Sequence, residues 1–131
     1  MIGLDTNVLV RYIMQDDPRQ SPKASALIES LTAEVPGFVT LVSLVELSWV
    51  LTSCYDLNSK QVVQALDVLL RSHQIVVDRS DQVLRALRIF EQGKTDFADC
   101  LIERIGSAAG CDHTVTFDIS ASKHAGMMLI R

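Results

Sequence analysis

The stretch Met1-Ile-Gly-Leu-Asp-Thr-Asn-Val-Leu-Val-Arg-Tyr12 decides which class of fold this chain adopts. Residues 2–4 form a short apolar run, Asp5-Thr6-Asn7 interrupts it, and apolar residues then recur at helical spacing. A buried strand that passes directly into a helix is how a parallel α/β sheet begins. Functional groups of such sheets collect at the carboxyl ends of the strands, so Asp5 is the first candidate site residue. The alternative is that Asp5 only caps the helix, which aspartate does well.

The composition is that of a folded protein with a sizeable aliphatic core. The chain has 131 residues, of which 48% are hydrophobic and 5% aromatic, and its formal net charge is -4. These values predict one domain over residues 1–131 and argue against a basic protein that coats nucleic acid. They do not exclude an enzyme that contacts nucleic acid through a local patch and bound cations.

The cysteines and the hydropathy pattern indicate the cellular setting. Cys54, Cys100 and Cys111 have no metal-ligand spacing, so we expect small buried residues in a reducing compartment. No apolar run approaches the roughly 20 residues of a membrane span, and we find no signal peptide. We therefore expect a cytoplasmic protein that does not enter a membrane.

Short strands alternate with helical patterns along the remaining chain. Further strands are predicted at residues 38–40, 75–77, 113–117 and 127–130. Helices are predicted with Ser21 and Ser80 as their N-caps, and further helices are predicted to begin at Ser43, Asn58 or Ser59, Thr95 or Asp96, and Ile119. The helix that follows Ser43 is apolar on most of its sides and is expected to be buried. The alternation predicts an α/β fold with a mostly parallel sheet covered by helices on both faces.

Carboxylates stand where strands end or helices begin at four places: Asp5, Glu46, the pair Asp96 and Asp99, and Asp118. Each has a structural alternative, because Glu46 lies at capping-box spacing from Ser43 and the aspartates are good caps. If the strands before Asp5 and Asp118 flank the switch point of the sheet, these two residues face one cleft. Carboxylates around one cleft repel one another unless a hard cation lies between them, and oxygen ligands suit Mg²⁺ or Mn²⁺.

No other reactive arrangement competes with these acids. His73, His113 and His124 have neither metal-ligand spacing nor an obvious serine or cysteine partner. The chain also contains no glycine-rich phosphate loop. A metal ion that is held by carboxylates and activates water is therefore the economical mechanism.

Five motifs resemble those of the PIN-domain family: Asp5-Thr6-Asn7, Arg11-Tyr12 with Asp16-Asp17-Pro18, Ser43-Leu-Val-Glu46, Asp96-Phe-Ala-Asp99-Cys-Leu-Ile102, and Thr114-Val-Thr-Phe-Asp118. More narrowly, they resemble the VapC-type toxins of bacterial and archaeal toxin–antitoxin pairs. The order and spacing of the motifs are those of the family. The resemblance runs from Asp5 to Asp118 and so covers nearly the whole chain.

The resemblance implies a three-layer α/β/α PIN-like domain that cleaves RNA endonucleolytically with Mg²⁺ or Mn²⁺. It also implies a small antitoxin protein as partner and a homodimer. Four residues match the acidic quartet and two match the polar residues beside it: Asp5, Glu46, Asp99 and Asp118, and then Asn7 and Thr116. For Asp96, three roles stay open: a metal ligand, a group that holds water, and a cap.

Two other functions stay open beside the ribonuclease. One is a PIN-like protein-interaction module whose acids serve as helix caps, and the other is a metal-dependent phosphohydrolase of small molecules. An apolar excess between Ser43 and Ser72 favours self-association, although the same residues could simply form core. Bound cations would offset the negative charge, so that Arg11, Lys94 or Lys123 could meet RNA phosphates.

Overall fold

The amino-terminal segment folds as its sequence predicts, into a strand that passes directly into a helix. In the computed structural model, which describes residues 1–131, strand β1 is Ile2–Gly3 and helix α1 is Thr6–Met14. Asp5 lies between them in an extended conformation, with φ -74° and ψ 157°. Helix α1 ends at Gln15, whose φ of 52° turns the chain away from the helix axis.

Residues Met1–Asp78 form one compact unit around a parallel three-stranded sheet. Its other elements are α2 (Gln20–Ser30), β2 (Gly37–Val39), α3 (Leu41–Ser53), α4 (Ser59–Arg71) and β3 (Ile75–Val77). The strand order is β1-β2-β3, with Ile2 opposite Gly37 and Phe38 opposite Val76. A Cβ atom at Gly37 would lie 2.7 Å from Leu4 Cδ1. Any larger residue at this position would have to displace the side-chain ends of Leu4 and Leu31.

Helices bury the aliphatic residues of this unit. Helix α1 packs against α2 and α3, and α4 packs against α3 and β3. The fully buried side chains come from both the helices and the central strand, and include Leu9, Val39, Leu44, Leu47, Leu66 and Leu69. Burial of one such side chain stabilises the fold by about 1.5–3 kcal/mol.

Residues Arg79–Arg131 form the second compact unit. Its elements are α5 (Ser80–Phe90), α6 (Phe97–Ala108), β4 (Val115–Thr116), α7 (Ile119–His124) and β5 (Met128–Leu129). Strands β4 and β5 pair in parallel, with Val115 opposite Met128. Helices α5 and α6 pack together, and the rings of Phe90 and Phe97 meet edge to face with centroids 5.9 Å apart.

Helices combined with parallel strand pairing confirm the predicted α/β class. All strand pairs are parallel, as the alternation of strands and helices predicts. None of the helices has both the length and the apolar character that crossing a membrane requires. One domain over residues 1–131 stays a prediction.

Three predicted helix starts need correction. Helix α2 begins at Gln20 rather than after Ser21, because Asp17 Oδ1 accepts hydrogen bonds from the N–H groups of Arg19 and Gln20 at 2.9 and 2.7 Å. Ser80 is already helical, so it is not the cap of α5. The third start is that of α3, where the side chain of Thr40 accepts from the N–H of Ser43 at 3.1 Å. The helix therefore begins at Leu41.

Two predicted burial patterns are also wrong in part. Helix α3 is not buried on all sides, because Val42 is 79% exposed and Trp49 is 63% exposed. Of the three cysteines only Cys100 is buried, and both Cys54 and Cys111 are exposed. The start of α4 is as predicted, since Asn58 and Gln61 form a reciprocal capping box.

Candidate functional site

Asp5 stands at the carboxyl end of β1 with a free carboxylate. It is the N-cap of α1, yet its side chain makes no capping hydrogen bond. The helix is started by the backbone instead, because the N–H groups of Val8 and Leu9 donate to the Asp5 carbonyl oxygen at 3.0 and 3.3 Å. The residue is exposed. The alternative that the Asp5 side chain serves as a cap is therefore wrong.

Glu46 is likewise free of a capping role. Because Thr40 is the N-cap of α3, the third helical position is Ser43, and Glu46 lies one turn further along. The capping-box interpretation of Glu46 is therefore wrong. Its side chain is exposed and makes no hydrogen bond or ion pair within the chain. Both candidate acids of the unit Met1–Asp78 are thus available to a ligand.

Thr6 carries the only buried side-chain polar atom in the protein that lacks a hydrogen-bond partner, its Oγ1. The residue is 4% exposed and occupies the first position of α1, between Asp5 and Asn7, both of which are exposed. An unsatisfied buried hydroxyl costs about 1–3 kcal/mol. Such an atom calls for an explanation, and a bound water or ligand is a common one. The sequence shows the hydroxyl but not its burial.

Asp96 and Asp118 do cap helices. Asp96 is the N-cap of α6, and its Oδ1 accepts from the N–H of Asp99 at 2.8 Å. Asp118 is the N-cap of α7, and its Oδ1 accepts from the N–H of Ala121 at 3.0 Å. Both residues therefore serve as helix caps, and a role of either in metal binding stays a prediction. Capping occupies one carboxylate oxygen of each, and the other oxygen of Asp118 has no protein partner.

Asp99 is the most perturbed acid of the unit Arg79–Arg131. Its pKa is raised above the ordinary value, first by burial, then by the negative charge of Asp96 and a hydrogen bond with it, and then by the charge of Asp118. A weak hydrogen bond from Thr95 Oγ1, at 3.4 Å, opposes the shift. None of the three aspartates makes an ion pair with a basic side chain. Their charges are thus uncompensated, which is a setting in which a cation would be stabilised.

Two residues beside these acids, Thr116 and Cys100, interact with them in different ways. Thr116, on β4, accepts a hydrogen bond from the N–H of Asp118 through its Oγ1 at 3.0 Å, so it fixes the backbone that carries Asp118. Burial, followed by the charges of Asp96 and Asp99, raises the pKa of the Cys100 thiol to about 11. Cys100 is therefore a thiol at neutral pH and no nucleophile.

The candidate acids suit a hard divalent cation in their chemistry. Their donors are all carboxylate oxygens, which Mg²⁺ and Mn²⁺ prefer and zinc sites seldom use alone. No three His, Cys, Asp or Glu side chains are already arranged to hold a metal ion. The fit therefore lies in the donor type rather than in a preformed cage. That one ion is shared by Asp5, Glu46, Asp99 and Asp118 stays a prediction.

Comparison with known proteins adds one positive finding. A family model described as the PIN domain matches residues 2–126. The match takes in every acid considered above and nearly the entire chain. No curated protein and no solved structure matches the chain significantly.

Proposed function

The chain belongs to the PIN-domain family, and from this membership we propose that it is a Mg²⁺- or Mn²⁺-dependent endoribonuclease. PIN domains are generally nucleases that use divalent metal ions. The choice of RNA, the endonucleolytic cut and a role as the toxin of a toxin–antitoxin pair rest on the resemblance of the five motifs to VapC-type toxins. The observation that supports the proposal most is that the charges of Asp96, Asp99 and Asp118 act on one another while none of the three makes an ion pair with a basic side chain.

We assign the metal-ligand role to Asp5, Glu46, Asp99 and Asp118. The first two carry carboxylates without a capping duty, and Asp118 keeps one oxygen for α7 and has another to offer. Asp99 gains from a nearby cation, because burial and neighbouring negative charge oppose its ionisation. When bound, such an ion activates water and stabilises the charge that develops on a phosphate. Thr116 holds the Asp118 backbone in place, and Asn7 offers an exposed amide beside Asp5.

A second candidate function is a protein-interaction module without nuclease activity. The capping hydrogen bonds of Asp96 and Asp118 favour it, because they give these acids a structural task. This function assigns no role to the carboxylates of Asp5 and Glu46, which do not cap a helix.

The deciding experiment is RNA cleavage by wild type and Asp5→Asn, each in EDTA and in Mn²⁺. Asparagine replaces a side chain that makes no capping bond, so the fold should be unchanged. We expect cleavage only by wild type in Mn²⁺. At a hundred times its dissociation constant, Mn²⁺ should also raise the free energy of unfolding of wild type by about 2.7 kcal/mol, and that of Asp5→Asn much less.

The matched control is Asp78→Asn, which removes a carboxylate that follows strand β3 instead of β1. It should cleave RNA and respond to Mn²⁺ like wild type. Cleavage that survives EDTA, or an Asp5→Asn protein as active as wild type, would contradict the metal-dependent mechanism. Hydrolysis of mononucleotides in preference to structured RNA would instead indicate a small-molecule phosphohydrolase.

We also propose that the protein self-associates and binds a small antitoxin protein in the cytoplasm. Support for self-association comes from exposed apolar side chains on α3 and α4, namely Val42, Trp49 and Val68. Val42 and Trp49 are seven residues apart and therefore share one helix face. Light scattering at micromolar concentration should give a dimer, and Trp49→Glu should shift it toward monomer. A monomeric wild type, or a gene without a short neighbouring reading frame, would count against this assignment.

A further inference from the structure

A cleft of about 280 Å³ in the unit Met1–Asp78 is lined by residues of α1 and α2. Its polar lining residues are Asn7, Arg11, Gln20 and Lys23, and its apolar ones include Val8 and Leu27. No acidic side chain lines it. In a chain of net charge -4, a cleft that carries two cations and no acid is a local exception.

Arg11 is fixed in this cleft by hydrogen bonds on one part of its guanidinium. Its Nε donates to Gln20 Oε1 at 2.8 Å, and its Nη1 lies 3.4 Å from both Asp16 Oδ1 and the Tyr55 hydroxyl. Tyr55 in turn donates to Asp16 Oδ2 at 2.8 Å, which ties the group together. The Nη2 group of Arg11 has no hydrogen-bond partner. A donor that is already ordered loses little entropy when it binds a ligand.

Lys23 provides the uncompensated charge. Asp16 partly neutralises Arg11, whereas Lys23 is exposed and forms no ion pair. Asn7 and Arg11 are four residues apart on α1, and Gln20 and Lys23 are three apart on α2, so each pair shares a helix face. The cleft thus offers an amide, a guanidinium and an ammonium group as donors. These donors match a phosphate, which accepts several charge-assisted hydrogen bonds.

We propose that this cleft binds one phosphodiester of a single-stranded RNA, with the adjoining nucleotide against Val8 and Leu27. The inference rests on the proposed ribonuclease function and adds a substrate-binding subsite to it. A volume near the lower end of the roughly 300–1,000 Å³ typical of ligand pockets suits one nucleotide and not a duplex. Asn7, which lines the cleft, lies in the first turn of α1, the helix that Asp5 precedes.

The experiment measures binding of a fluorescent single-stranded RNA in EDTA, by anisotropy, over a series of salt concentrations. The variant is Lys23→Gln, because this exposed side chain makes no hydrogen bond or ion pair in the protein. For a single strand, the slope of log affinity against log salt changes by about 0.7 for each phosphate that the protein no longer neutralises. We expect that change, which corresponds to an affinity about five-fold lower at 0.1 M salt.

The matched control is Lys60→Gln, which removes an exposed lysine of α4 that does not line the cleft. Its slope should equal that of wild type. If Lys23→Gln has the same slope as Lys60→Gln while wild type cleaves RNA in Mn²⁺, the subsite is wrong and the ribonuclease stands. If wild type neither binds nor cleaves RNA, the ribonuclease proposal fails and the subsite fails with it. An unchanged RNA slope with weaker binding of a partner protein would also overturn the inference.

Discussion

Replacing Asp99 by asparagine should stabilise the metal-free protein. The substitution removes a charge that is disfavoured by burial and by Asp96 and Asp118, while its side-chain oxygen can still accept the hydrogen bond from Thr95. Two like charges roughly 5 Å apart repel by about 0.8 kcal/mol in water and about 3 kcal/mol at an effective dielectric of 20. The favourable effect of an acid in the first turn of α6, about 0.3–1 kcal/mol, opposes this. A net gain of about 1 kcal/mol remains.

The pH dependence of that gain follows from the direction of the Asp99 pKa shift. Because the pKa is raised in the folded protein, the proton is held more tightly there than in the unfolded chain. Below the unfolded value of 3.8, Asp99 is neutral in both states, and wild type should match Asp99→Asn in this respect. As the pH rises through the folded pKa, wild type loses stability and the variant does not. The difference should therefore grow with pH and then level off.

Urea unfolding between pH 4 and pH 8 in EDTA measures this difference. At neutral pH, a gain of 1 kcal/mol corresponds to a melting temperature higher by about 3–5 °C for a chain of this size. The control is Asp112→Asn, which removes an exposed aspartate of the same unit and should change little at any pH. An Asp99→Asn protein that is less stable than wild type, or equally shifted at every pH, would refute the argument from crowded carboxylates.

Three further predictions concern single side chains. In the native protein, iodoacetamide should modify Cys54 and Cys111 but not Cys100, because burial and a pKa of about 11 keep Cys100 a thiol. When the protein is denatured before modification, mass spectrometry should find all three cysteines modified. Thr6→Val should raise the free energy of unfolding by about 1 kcal/mol, because it removes a buried hydroxyl that has no hydrogen-bond partner. A variant that is less stable than wild type in urea would mean that the hydroxyl does make a hydrogen bond. Asn58→Ala should lower it by about 1 kcal/mol, since the substitution removes the side chain on which the capping box depends, and Asn58→Asp should restore most of that.

The sequence by itself determined the features that depend on neighbours within one helical turn or one strand. The strand-to-helix start at Asp5 and the helix start at Asn58 were predicted correctly, and the caps Asp96 and Asp118 were among the alternatives that the sequence offered. The alternation of these elements was enough to predict parallel pairing. Such signals are read reliably because each depends on a hydrogen bond or an apolar spacing between residues three or four apart.

Where two possible caps lie close together in the sequence, the predicted start of the helix was wrong. Thr40 and Ser43 are both good caps, and the apparent capping box of Ser43 and Glu46 concealed that Thr40 starts the helix. Ser21 before a proline is a similar case, since the side chain of Asp17 starts α2 earlier. Local preferences differ by less than packing contributes, so they do not choose between neighbouring starts.

Only the tertiary structure decided what is exposed and which charges meet. Trp49 and Cys54 lie in an apolar segment yet face solvent, whereas the hydroxyl of Thr6 is buried without a partner. Asp99 is perturbed by Asp118, nineteen positions along the chain, and the cleft that contains Lys23 exists only because α2 folds back on α1. Burial and the interaction between charges depend on distances in space. These distances are set by how the chain folds back on itself, which the spacing of residues along the sequence does not show.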